Sequence, residues 1–292
     1  MTRVMVTGSK GQLGAAFVDR LSGHAEVFGV DVDELDITDA ARVREFVLRH
    51  RPTLILNCAA FNDVDGAERQ PLAAYRLNAE AVWTLATIAA EFDATFVHYS
   101  TDFVYDGHTD KPYTEDDEPS PLSIYGMTKL VGERYASLAP SSYVLRLSSL
   151  YGGHTRRTSV DWMIRQGLAG QRVPAFVDRT VSPSYVPDVV KATLELVGGS
   201  APFGLYNCGS VDWCTWADLA ARVLESCGRP DLLDPVPFAA APNRAARPRN
   251  CAMSTARLGQ IAITPRTWSD ALADYLSRCR PDGDGLNARP PA

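Results

Sequence analysis

The sequence predicts an α/β fold, a doubly wound parallel sheet with a smaller C-terminal lobe. Three observations carry that expectation. Short apolar runs alternate with helical patterns through the first half of the chain. A glycine triplet follows the first apolar run. After Tyr151 the alternation gives way to helical segments separated by loops bearing proline and glycine. The 292 residues suit one large α/β domain or two small ones, and easily supply a buried core.

The expected strands are RVMVT (3–7), EVFGV (26–30), TLILN (53–57), TFVHY (95–99) and YVLRLS (143–148). Helical stretches begin near Gly11, Thr38, Pro71 and Pro121. The third, PLAAYRLNAEAVWTLATIAAEF, repeats apolar residues at three- and four-residue steps and reads as one long helix. Short connections between such elements favour a parallel sheet covered on both faces. Past Tyr151, helices are expected near Ser159–Ala169, Pro187–Val197, Thr215–Glu225 and Thr267–Leu276, in an irregular lobe that partly returns to the sheet. The tail PDGDGLNARPPA has no apolar periodicity, and residues 281–292 are expected to be disordered.

Bulk properties exclude several classes. A formal charge of −6 argues against general nucleic-acid binding, which needs a basic face. No apolar run is long enough to span a bilayer. The N-terminus opens straight into the first strand, so no signal peptide is expected. The six cysteines are scattered without a CxxC pair and read as reduced thiols, which fits a cytoplasmic protein.

In VMVTGSKGQLGAAFVDRL, Gly8, Gly11 and Gly14 lie between a strand and a helix at GxxGxxG spacing. Gly8 permits the tight turn, Gly11 lets the backbone approach a pyrophosphate, and Gly14 lets the helix pack on the strand. That context makes residues 1–152 a Rossmann-type dinucleotide-binding domain, leaving 153–280 as a mainly substrate-binding lobe. Asp31 closes the second strand, where a carboxylate takes the adenosine ribose hydroxyls and favours NADH. Lys10, inside the loop, is instead placed to attract a 2′-phosphate. NADH and NADPH both stay open.

Tyr125 and Lys129, at i and i+4, project from one helix face. A free tyrosine has a pKa of roughly 10. A neighbouring ammonium is expected to favour the phenolate and bring the couple toward the working pH. Thr101 supplies a hydroxyl after the fourth strand. Glycine loop, hydroxyl and Tyr-xxx-Lys in that order are far more specific than any of them alone.

With these residues in place, the chain resembles the extended short-chain dehydrogenase/reductase superfamily, and within it the dTDP-4-dehydrorhamnose reductase family. The resemblance runs to about Leu276. It rests on GSKGQLG, ELDITD, LNCAAFNDVDGAE, HYSTDFVYDG, PYTEDDEPSPLSIYGMTKLVGE, RLSSLYG, SPSYVPD and AARPRN. It implies cofactor contacts at Gly11, Gln12, Leu13 and Asp31, with Asp36 and Ile37 along the adenine. Ala60, Phe61 and Asn62 would follow the third strand and Tyr99 would end the fourth. Thr101, Tyr125 and Lys129 match the family's catalytic trio, and Val64 and Asp102 match its substrate contacts. The implied reaction is reduction, by NADH or NADPH, of the C4 keto group of a dTDP-linked 4-keto-6-deoxyhexose. A homodimer is a further implication, and no metal ligands can be placed.

Elimination is the rival chemistry. Dehydratases of the same superfamily carry Thr-Asp-Glu where this chain has Thr101-Asp102-Phe103, and phenylalanine cannot act as a base. A nucleotide-sugar epimerase or dehydratase thus stands as an alternative, as does an NADP-binding regulatory subunit of the methionine adenosyltransferase type. Two departures from the family reshape the sugar pocket. Ser149 replaces a tryptophan, and DRTVSPS puts Arg179, Val181 and Ser184 at altered positions.

Other features admit two readings. Asp102 either fixes a sugar hydroxyl or caps its loop. Arg247 or Arg249 either neutralises the substrate diphosphate or is solvated. Trp162, Trp213 and Trp216 are expected in the core rather than on a thymine base. Glu115–Glu118 is expected to stay hydrated, and the five histidines show no ligand spacing.

Overall fold

A computed structural model describes residues 2–199, 201–240 and 245–279. The expected tail, 281–292, lies outside the described residues. The first half runs β1 (Arg3–Thr7), α1 (Gln12–Leu21), β2 (Glu26–Val30), α2 (Ala40–His50), β3 (Leu54–Asn57), α3 (Val64–Arg69), α4 (Pro71–Tyr75), α5 (Ala81–Glu91), β4 (Thr95–Thr101), α6 (Ile124–Ala136) and β5 (Ser142–Leu147). The second half runs α7 (Ser159–Leu168), β6 (Val173–Phe176), β7 (Thr180–Val181), α8 (Val186–Gly198), β8 (Gly204–Asn207), β9 (Cys214–Thr215), α9 (Trp216–Ser226), β10 (Leu233–Val236), β11 (Asn250–Cys251), α10 (Ala256–Gln260) and α11 (Trp268–Arg278).

Six strands form one parallel sheet in the order β2-β1-β3-β4-β5-β8. Strand periodicity explains why both faces are covered. Val4, Val6, Leu54, Leu56, Val97 and Leu145 point to a core closed by α1 and α8. Their neighbours Met5, Ile55, Phe96 and Val144 point to the opposite core, closed by α2 and α5. A third cluster, among α7, α9 and α11, is the centre of the C-terminal lobe. The chain order reverses around β1, so the loops after β1 and β3 meet at a switch point, the usual place for a ligand crevice.

The long helix expected over 71–92 is interrupted. Arg76–Glu80 forms a π turn between α4 and α5. The Asn78 side chain accounts for it, by accepting from Phe61 N at 2.8 Å and donating to Phe61 O and Thr128 Oγ1, each at 3.1 Å. The Asn78 carbonyl also abuts α6 so closely that a Cβ on Gly132 would lie 2.2 Å from it. Apolar spacing alone does not register such a side-chain pull. The short helix α3 went unread because Gly66 dilutes its pattern, although Asp63 caps it by accepting from Gly66 N. The short strands β6, β7 and β9–β11 are similarly too brief for periodicity to show.

Candidate active site

The switch-point crevice is a groove of about 930 Å³, lined in part by Gly8, Gly11, Asp31, Asp36, Ile37 and Ala60. Phe61 and Asn62 continue it. Gly8 has φ +61°, and a Cβ there would meet Ala59 N at 2.8 Å. A Cβ on Gly14 would meet the Gly8 carbonyl oxygen at 2.1 Å, so α1 can start only where it does if this residue is glycine. The groove fits a dinucleotide on one further observation. The Gln12 amide, at the head of α1, is buried with neither Nε2 nor Oε1 hydrogen-bonded, and such orphaned groups call for a partner. Leu13 buries its side chain in the core, leaving its backbone in the first turn of α1.

At the β2 end the polar groups are already connected. Asp31 Oδ2 accepts from Lys10 N, and Oδ1 from Val32 N, both at 2.9 Å. Lys10 Nζ pairs with Asp33 at 3.0 Å and Glu34 at 2.7 Å, in the open. The hydrogen bonds it donates to Glu34 and Asp33 hold the lysine above its ordinary range. Asp36 accepts from the Thr38 N–H and hydroxyl. Arg69 and Arg76 also line the groove. They were not legible as site residues, because only the fold-back of α3 and α4 brings them there.

The β4 end is buried. Thr101, Tyr125 and Lys129 are 6 %, 8 % and 2 % exposed. Tyr125 lies in the first turn of α6, capped by Ser123, whose hydroxyl accepts from Gly126 N at 3.2 Å. Phe103 meets the phenol edge-on, with ring centroids 5.6 Å apart. Val64 and Phe61 pack in the same apolar cluster, which links the phenol to the groove wall. The body of α6 is fastened to β5 by a buried ion pair. Arg146 Nε and Nη2 donate to the two Glu133 oxygens at 2.8 and 2.6 Å, and Ser100 donates to the same carboxylate at 2.5 Å. Breaking such a pair is costly whatever its net worth.

The expected influence of Lys129 on Tyr125 is corrected. Burial pushes the phenol up to about 12, Asp102 adds to the rise, and the hydrogen bond with Thr101 opposes it. Lys129 instead donates to the Tyr99 carbonyl at 2.5 Å. Burial brings the lysine down to about 8, against Glu133 and Cys58. Tyr125 is therefore a neutral phenol near neutral pH, a form that carries a proton to give. Tyr99 offers the site its carbonyl, since its ring is in the core and its hydroxyl pairs with Thr193 at 3.0 Å.

Behind Thr101, Asp102 is 2 % exposed. Its Oδ1 accepts from Thr101 Oγ1 at 3.0 Å and its Oδ2 from Ser148 Oγ at 2.8 Å. Ser148, one residue before the position singled out in the sequence, is the hydroxyl that takes part. Ser149 is half-buried with φ +47°. Arg179 is buried at the same end, its guanidinium 5.6, 5.7 and 5.4 Å from the rings of Phe103, Trp216 and Phe238. It donates to the Pro248 carbonyl at 3.0 Å.

Arg247 does not stand free for a diphosphate. It forms a two-pronged pair with Asp65, each arm 3.0 Å, joining the C-terminal lobe to α3. Arg249 is exposed and near Asp178 at 3.4 Å. Both line a second cleft of about 580 Å³ with Trp213 and Phe238. Trp213 is exposed, while Trp162 and Trp216 pack against the lobe's core. The acidic run is also corrected. Glu115 is tucked in, accepting from Asn207 N at 2.8 Å, and Asp116 pairs with Arg257 at 2.6 Å, so part of it is a structural clasp.

Known proteins share this arrangement along nearly the whole chain. The profile of the RmlD substrate binding domain matches residues 1–280. The dTDP-4-dehydrorhamnose reductase of Mycolicibacterium smegmatis is 34 % identical over 281 residues, covering 94 % of this chain and 85 % of its own. A Streptomyces antibioticus protein, named "Probable dTDP-4,6-dihydroxy-2-methyloxan-3-one 4-ketoreductase", is 34 % identical over 277 residues, 93 % of this chain and 94 % of its own. The crystal structure of Bacillus anthracis dTDP-4-dehydrorhamnose reductase in complex with NADP superimposes with a TM-score of 0.91 at 29 % identity, covering 96 % of this chain and 100 % of that one. The chain belongs to the RmlD substrate binding domain family, the family of the dTDP-4-dehydrorhamnose reductases.

Proposed function

We propose that the protein reduces the C4 carbonyl of a dTDP-linked 4-keto-6-deoxyhexose, with Tyr125 as proton donor. The observation that carries this reading is the buried Thr101–Tyr125–Lys129 cluster joined to the dinucleotide groove through Phe61. NADH or NADPH, when bound, supplies the hydride. Gly8, Gly11, Gln12 and Leu13 would hold its pyrophosphate end, Asp31, Asp36 and Ile37 its adenosine, and Ala60, Phe61 and Asn62 the stretch toward the nicotinamide. Tyr125 protonates the oxygen as it gains charge, and Thr101 positions the phenol. Lys129, cationic below about pH 8, favours that negative charge electrostatically. Val64, Ser149 and the lobe beyond residue 153 shape the sugar pocket, and the cleft with Trp213 and Arg249 takes the nucleotide, with Arg247 holding its wall through Asp65.

Phe103 decides against elimination. It occupies the place where a dehydratase carries its carboxylate and instead packs on the Tyr125 ring. The relatives' names, reductases and a ketoreductase, support turnover over a regulatory-subunit role. Incubation with dTDP-4-dehydrorhamnose and NADH or NADPH should consume cofactor stoichiometrically, with the product epimer read by NMR. Formation of a 4-keto-6-deoxy sugar from dTDP-glucose by this protein alone would overturn the reading.

A further inference from the structure

We propose that Arg179 binds the diphosphate of the nucleotide sugar, a subsite that rests on the function proposed above. Among the described residues three cationic side chains are buried, Lys129, Arg146 and Arg179. Arg146 is answered by the Glu133 carboxylate, and Lys129 stands at the reacting end. Arg179 is 6 % exposed and has no carboxylate partner among the described residues.

An arginine carries five N–H donors and keeps its charge at any working pH. Arg179 Nε donates to the Pro248 carbonyl at 3.0 Å, and Nη2 makes a long contact of 3.8 Å with Cys251 Sγ. Nη1 has no acceptor among the described residues. The Asp102 carboxylate is favoured by the Arg179 charge but forms no ion pair with it, and its two oxygens accept from Thr101 and Ser148. Phe103, Trp216 and Phe238 surround the guanidinium with rings, which steady a cation but offer it no acceptor oxygen. Trp216 adds a second unmet donor, an indole Nε1 that is buried without a partner. A buried charge beside unmet donors calls for an anion.

Position selects the anion. The Phe103 ring lies 5.6 Å from the Tyr125 ring and 5.6 Å from the guanidinium. Phe238, 5.4 Å from the same guanidinium, lines the cleft that holds Trp213 and Arg249. Arg179 therefore sits between the phenol that meets the C4 oxygen and the cleft that takes the nucleotide. In a nucleoside diphosphate sugar, the diphosphate is what joins the sugar to the nucleoside. A guanidinium fork matches phosphate oxygens in pairs. Arg247 is paired with Asp65 and Arg249 is exposed, so neither brings a buried charge to that place. Arg179 is also one of the positions at which the sequence departs from the family, which makes the contact a property of this chain.

Binding of dTDP to the NADPH-saturated protein is measured by calorimetry, with thymidine as the probe that lacks phosphate. Arg179→Gln removes the charge and shortens the side chain. Its Kd for dTDP should rise at least about tenfold, the scale of a lost charge-assisted hydrogen bond, while its Kd for thymidine holds. Arg179→Lys should fall between wild type and Arg179→Gln, because the charge survives and the fork does not. Equal losses for dTDP and thymidine would make Arg179 a packing residue for its three rings. Unchanged dTDP affinity would put the diphosphate elsewhere, and either result ends the proposal. A crystal structure of the wild-type protein with NADPH and dTDP is independent of how the variants fold. A phosphate oxygen within hydrogen-bond distance of Arg179 Nη1 or Nη2 is expected, and a diphosphate held by Arg249 alone would overturn the subsite. Wild-type protein that binds dTDP through Arg179 yet reduces no 4-keto sugar would end the proposed reduction and leave the subsite standing.

Discussion

Lys10, in the glycine loop, and Lys129, one helical turn after Tyr125, hold their charge under opposite conditions. Lys10 is more than half exposed and paired with two carboxylates, which keep it protonated at any working pH. Lys129 is buried with a carbonyl as its hydrogen-bond partner, and burial brings it down to about 8. Pairing in water leaves a charge that is constant and screened. Burial leaves one that is unscreened and titrates near neutrality. On the function proposed above, the contrast separates a cofactor-recognition end from a chemical end, and substitutions at the two ends should differ in kind.

The largest effect is expected at the chemical end. Tyr125→Phe keeps the edge-on contact with Phe103 and removes only the phenol hydroxyl, the proposed proton donor. Its kcat should fall by roughly 10²–10⁴, with the fold intact by circular dichroism. Near-normal turnover would mean that the buried end is not where the proton comes from.

Lys129→Met should cost less, about 10- to 100-fold in kcat/KM, and should change the pH profile. In the wild-type protein kcat/KM should decline as pH rises through about 8, where Lys129 loses its charge. The methionine variant should be flat there. Unfolding would not explain the wild-type decline. The folded pKa, about 8, lies below the ordinary 10.5, so the unfolded chain binds more protons between those values. Lys129 therefore contributes rising stability across that window. A thermal midpoint that falls over the same pH range as the rate would contradict this assignment.

The two ends also differed in how far the sequence revealed them. Gly8 and Asp31 follow directly from strand–loop–helix order, because each sits where a parallel strand ends at the switch point, whereas Ala60–Asn62 came from the family resemblance. Tyr125 and Lys129 were legible from i, i+4 spacing. Their electrostatics were not, since Tyr125 is buried by α3, α4 and Phe103 closing over it, and Lys129 by its place against the end of β4, which no local spacing reports. The same holds for contacts distant in sequence. Ser148 reaches Asp102 across 46 residues, and Arg247 reaches Asp65 across 182. Arg247 read as a loop cation open to phosphate, because its partner belongs to a helix that the pattern hid.

The smallest effects belong to the recognition end, and they carry opposite signs. Asp31→Ala removes a carboxylate that would repel a 2′-phosphate and bind the free ribose hydroxyl. The NADPH/NADH ratio of kcat/KM should rise, by about fivefold, the scale of one unit charge at close range in water. The loss also frees Lys10 N, so some weakening of both cofactors should accompany the shift. Lys10→Gln should lower the ratio, by only about twofold, because Asp33 and Glu34 already offset the lysine and salt screens what remains. Uncovering those carboxylates is what turns the ratio against NADPH. The ordering of the two variants tests the comparison itself. If Lys10→Gln moved the ratio further than Asp31→Ala, Lys10 would have to leave its carboxylates to bind the phosphate. The β2 end would then be a switchable contact like the β4 end.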